Sequence, residues 1–85
     1  MIYFALSRHG YEQFASTSDP FAYLWVSGGV LSEPELADLR AKGVSVTNFS
    51  DSIDPNDQVA LSEAIDTIKQ HHPGQAVWVE HGYAA

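Results

Sequence analysis

Four short apolar runs set the limits on how this chain folds. They are Ile2–Leu6, Phe21–Val26, Val44–Phe49 and Ala76–Val79, each four to six residues long. That is strand length, too short for a typical helix. The first two are apolar throughout, the pattern of strands buried on both faces. The third, Val44-Ser45-Val46-Thr47-Asn48-Phe49, alternates and is rich in β-branched residues, which also predicts a strand. The last is followed by Glu80-His81-Gly82.

Between the runs lie helical patterns. Ser32 and Glu35 have the spacing of a capping box, in which each side chain satisfies the other residue's backbone N–H. Leu36 and Leu39 supply an apolar stripe, and Gly43 is a natural left-handed terminator. This predicts a helix over Ser32–Lys42. A second helix is predicted over Pro55–His72. Asp54 is its expected cap, Pro55 its first residue, and Leu61, Ala64, Ile65 and Ile68 its apolar face. Pro73-Gly74 ends it. Arg8 to Pro20 is a short helix or a loop, since Tyr11, Phe14 and Ala15 have helical spacing but Ser16-Thr17-Ser18-Asp19-Pro20 is loop-like.

The expected fold is therefore α/β, with a four-stranded, mainly parallel sheet and two main helices. The order is β-(short helix or loop)-β-α-β-α-β, within one small domain spanning 1–85. Ile2, Phe4, Leu24, Val26, Leu36, Leu39, Val46, Leu61, Ile65, Ile68, Val77 and Val79 are the expected core. Two helices cover one face of such a sheet. The other face then needs Tyr11–Phe21 or a second chain to cover Tyr3, Phe4, Tyr23, Trp25, Phe49 and Trp78, and a homodimer is the expected source.

Charge narrows the function. The formal net charge is −7, with Arg8, Arg40, Lys42 and Lys69 the basic residues. Binding to phosphate backbones or to anionic membranes needs clustered Lys and Arg, so neither nucleic acid nor membrane is an expected partner. Cysteine is absent, which excludes disulfides, thiolate zinc sites and a cysteine nucleophile. The run Ile2–Leu6 is too short for a signal-peptide core and Arg8 follows it, so residence in the cytoplasm is the expectation.

Candidate sites follow the strand ends. Ser7-Arg8-His9-Gly10 follows the first strand and Glu80-His81-Gly82 the last. In a parallel sheet both lie at the carboxyl edge, where ligands bind in open α/β folds. Neighbouring first and last strands would bring His9 and His81 toward one site, with Arg8 as its cation. Gly28-Gly29 reads as a turn, because Glu33 and Glu35 in the next helical turn oppose an anion there. His71 and His72 are adjacent, point in different directions on a helix, and suit its C-terminal dipole better than a metal. Asp51, Asp54 and Asp57 lack the spacing of a calcium loop. No cofactor or metal is expected. Trp25 and Trp78 are expected in the core, with the indole N–H needing a partner if buried.

Ile2-Tyr3-Phe4-Ala5-Leu6-Ser7-Arg8-His9-Gly10 resembles the opening strand and Arg-His-Gly motif of the histidine phosphatases, the phosphoglycerate-mutase-like family. Ala60 to Gly82, ending Ala76-Val77-Trp78-Val79-Glu80-His81-Gly82, is similar to that family's last helix, strand and His-Gly. The resemblance implies that His9 accepts a phosphoryl group and that Arg8 and His81 bind the phosphate. The family's second arginine and its carboxylic general acid have no counterpart here, and family members are about twice this length. The segment from Gly28-Gly29 to Val44-Ser45-Val46 also resembles the entry segment of cysteine-dependent phosphatases, whose nucleophile this chain lacks.

Three functions are consistent with these features. A non-enzymatic binding or regulatory module, acting through a protein partner or as a homodimer, accounts for the small size, the incomplete catalytic set and the surplus of strand aromatics. The alternative is a reduced histidine-phosphatase-like phosphohydrolase or phosphate-binding protein using His9, Arg8 and His81. An acidic mimic of nucleic acid rests on the charge of −7 alone.

Overall fold

The computed structural model describes residues 2–16 and 22–80. Its elements are β1 (Ile2–Ala5), α1 (Arg8–Ala15), β2 (Tyr23–Val26), α2 (Glu33–Ala41), β3 (Ser45–Asn48), α3 (Gln58–His71) and β4 (Val77–Val79). The fold is α/β with an all-parallel sheet, in the strand order β3-β2-β1-β4. The segment after β1 is a helix, the first of the two options left by its sequence.

The helix ends follow from local chemistry. Ser7 caps α1, its hydroxyl accepting from the Gly10 N–H. The capping box of α2 forms as expected between Ser32 and Glu35, with Lys42 at the other end. The cap of α3 differs from expectation. Asp57 accepts from the Ala60 N–H and starts the helix. Asp54 instead accepts from the Asn56 N–H, and its carbonyl from the Asp57 N–H. Asp54-Pro55-Asn56-Asp57 is thus a turn that Pro55 favours as strongly as it favours a first helical turn.

Strand order decides which face each helix covers. The chain steps from β1 to β2 to β3 in one direction, then returns past both to β4. Right-handed crossovers place helices made on the outward and return journeys on opposite faces. One cluster joins Ala5, Leu24, Val26 and Val46 to Leu31, Leu36 and the α1 residues Tyr11 and Phe14. The other joins Ile2, Phe4 and Trp25 to Ala64 and Ile68 of α3. The expectation that two helices share one face, leaving the other to Tyr11–Phe21 or a second chain, is therefore corrected: α2 and α3 lie on opposite faces, and both faces carry helices of this chain.

Coverage is nevertheless unequal. Four strands about 4.8 Å apart present a face that needs two helices of about 10 Å diameter. The α1/α2 face has two and the α3 face has one. Ile2, Phe4, Leu24, Val26, Leu36, Val46 and Ile68 are buried. Leu39, Leu61, Ile65, Val77 and Val79 are half-buried against them. On the α3 face β3 is bare: Ser45 and Thr47, in register with Tyr23 and Trp25, are exposed.

Candidate functional site at the carboxyl edge of the sheet

β1 and β4 are neighbours, with Phe4 in register with Val79. Strand order reverses between them, which is where doubly wound folds bind ligands. The chain leaves β1 through Leu6 and Ser7 and enters α1 at once, so the N–H groups there face the crevice with the positive end of the helix dipole. Gly10 lies in the first turn of α1.

Glu80 fills this position. It is 2% exposed, and its Oε1 accepts from the N–H groups of Leu6 and Ser7, each at 2.8 Å. The Ser7 hydroxyl donates to Oε2, while the Glu80 N–H donates to Phe4 O at 3.1 Å. A carboxylate from the residue after β4 thus sits where a helix N-terminus most favours an anion. Gly10 follows from the same packing. A Cβ there would lie 2.0 Å from Glu80 Oε1 and 2.5 Å from Cδ, well inside the ~3.5 Å of ordinary contact.

Arg8 points elsewhere. Its guanidinium forms a two-pronged pair with the Glu35 carboxylate at the start of α2. It lies 3.4 Å from Val30 O and 5.8 Å from the Tyr11 ring centroid. The Arg8 hydrogen bond, followed by the Ser32 N–H, holds the Glu35 carboxyl at about 2, below its ordinary 4.5. Glu35 therefore closes the capping box and ties α1 to α2. His9 is exposed on α1. His81 lies outside the described residues, so the meeting of His9, Arg8 and His81 implied by the phosphatase resemblance is not tested.

The end of β2 is built in a similar way. Ser27 is 1% exposed, and its hydroxyl accepts from the Ile53 N–H at 2.7 Å. Gly28 donates to Asp51 O at 2.9 Å, and a Cβ on it would lie 2.6 Å from the Asp51 carbonyl carbon. Gly28 thus lets the segment after β3 close over the end of β2. Asp51 is placed by its backbone, and no group of three or more His, Cys, Asp or Glu suited to a metal occurs among the described residues.

The sequence motifs put the ends of β1 and β4 at this edge and give no prominence to Glu80, the residue that fills it. In the sequence Glu80 stands out only as part of Glu80-His81-Gly82. The available signal was the combination of a capping serine, a glycine three residues on, and an acid directly after the last strand. Comparisons with protein-family models, with characterised proteins and with solved structures give no match. Among the described residues no helix is long and apolar enough to cross a membrane.

Proposed function

We propose that the chain is a non-enzymatic binding module that works as a homodimer, a partner protein's strand being the other chain able to take the same place. The observation that carries this reading is Glu80. The two backbone N–H groups at the β1–α1 turn and the Ser7 hydroxyl already serve a carboxylate of the chain itself. A phosphate at that turn would have to displace it, and Arg8 is committed to Glu35. The reduced phosphohydrolase, with His9 as phosphoacceptor, finds less support in this arrangement.

The contrast between the two sheet edges supports a second chain. At β3 the Arg40 side chain donates to Val46 O at 3.2 Å, blunting that edge as charged groups do. At β4, Ile2 N bonds Ala76 O and Glu80 N bonds Phe4 O. Alternation then directs the backbone groups of Val77 and Val79 outward. β4 pairs with β1 alone among the described residues and carries Val77-Trp78-Val79, an apolar edge suited to strand addition.

Light scattering of the full chain from 1 to 100 μM, on the order of ordinary homodimer affinities, is the test. A dimer that Val77→Pro converts to a folded monomer is the expected result, since that substitution removes an outward N–H and no internal hydrogen bond. A monomer throughout overturns the homodimer. Turnover of a phosphoryl ester that His9→Ala abolishes overturns the non-enzymatic reading.

A further inference from the structure

The bare strip of the α3 face forms a cleft at the amino end of the sheet, opposite the crevice that holds Glu80. Its volume is about 550 Å³, within the range of small-molecule sites. We propose that this cleft is a binding site for a small planar aromatic molecule bearing a carboxylate. The proposal is independent of dimerisation through β4.

The rings come first. Tyr23 and Trp25 of β2 and His71 and His72 at the end of α3 line the cleft. Trp25 is 5% exposed and forms the floor, while Tyr23, 38% exposed, offers ring surface to a ligand. The Tyr23 and His72 ring centroids lie 4.7 Å apart, and those of Trp25 and His71 5.4 Å apart. Stacking is favourable at such separations. The Trp25 indole N–H donates to His72 Nε2 at 3.2 Å, which fixes two of these rings against each other.

Donors come second. Because His72 Nε2 accepts, the neutral ring carries its proton on Nδ1. Ser45 and Thr47 contribute hydroxyls from exposed β3, and Arg40 contributes a guanidinium. Arg40 has five N–H donors, and its hydrogen bond to Val46 O uses one nitrogen.

Charge then selects the ligand. The chain has eleven acidic residues, yet among the described residues no Asp or Glu lines this cleft. Among the described residues the one permanent charge there is the positive charge of Arg40. Beyond about 8–10 Å the acidic remainder is screened at physiological salt, so the local set of donors governs an anion at the mouth. A planar aromatic carboxylate uses both halves of the cleft, ring against Tyr23 and His72, carboxylate on Arg40 and the β3 hydroxyls.

Benzoate is the probe, added to the ¹⁵N-labelled full chain. The two tryptophans give separate indole N–H signals. We expect benzoate to shift the Trp25 indole and the Ser45 and Thr47 amides saturably, with Kd of about 1 mM or below, leaving the Trp78 indole in place. Benzamide, which lacks the charge, and acetate, which lacks the ring, should each bind about tenfold or more weakly. Ser45→Glu puts a carboxylate into the cleft at an exposed position and should abolish binding without disturbing the fold. Arg40→Gln should weaken it by about tenfold or more. A lack of saturation at about 20 mM benzoate, about twentyfold above the expected Kd, overturns the proposal. So does equal binding of benzamide, a parallel shift of Trp78, or full binding to Ser45→Glu.

Discussion

Replacing Gly10 with alanine is a severe test of the Glu80 anchor, because the structure predicts a reversal of sign. In an ordinary helix interior, Gly→Ala stabilises by about 0.5–1 kcal/mol. Here the new Cβ meets Glu80 Oε1 at 2.0 Å, Cδ at 2.5 Å and Cγ at 3.0 Å. The helix backbone is held by its own hydrogen bonds, so the carboxylate is the group that must move. Moving it breaks its bonds to Leu6 N, Ser7 N and Ser7 Oγ. With hydrogen bonds to a carboxylate contributing about 1.5–3 kcal/mol each and non-additive, Gly10→Ala should cost about 2–5 kcal/mol. Glu80→Ala alone removes the same bonds and leaves donors buried, at a similar cost. In the double variant the obstruction is gone, and Gly10→Ala should be neutral or stabilising by up to about 1 kcal/mol. The coupling energy is then about 2–6 kcal/mol, far above the ~0.5 kcal/mol scatter of independent sites. Urea unfolding followed by tryptophan fluorescence at pH 7 measures all four corners of the cycle. Additive effects, or a Gly10→Ala chain as stable as the parent, would refute the reasoning.

Two further expectations follow from the same edge. The folded-state depression of Glu35 means that its pair with Arg8 contributes stability fully above the ordinary carboxyl value of 4.5, and that this is lost as pH falls toward about 2. NMR titration of the Glu35 carboxyl should show the low value in the parent chain and a return toward 4.5 in Arg8→Gln; an unchanged titration would remove Arg8 as the cause. Ser27→Ala leaves the Ile53 N–H buried without its acceptor and should cost about 1–3 kcal/mol by urea unfolding. Hydrogen exchange at Ile53 should rise more than at Ile68, and equal protection at both would contradict a local loss.

What the sequence by itself determined is the set of elements. Chain-local physics decides them: run lengths such as Ile2–Leu6, the Ser32/Glu35 box, the 3.6-residue spacing of Leu61, Ala64, Ile65 and Ile68, and the alternation from Val44 to Phe49. Each involves residues within about one or two helical turns of each other, so no knowledge of distant partners is needed. Even there the cap of α3 falls at Asp57, three residues beyond the expected Asp54, because both residues satisfy the same local rule. Tertiary structure alone decided the rest. The return of β4 to the far side of β1 put α2 and α3 on opposite faces. The same return brought Glu80 to Leu6 and Ser7 across 74 and 73 residues and set His72 beside Trp25, while the outward steps from β1 to β3 drew Arg8 to Glu35. These contacts depend on strand order, and several orders satisfy the same apolar pattern. Gly10 shows the difference most clearly: its neighbours in sequence permit almost any side chain in a helix, and only the carboxylate delivered from the other end of the chain requires that it have none.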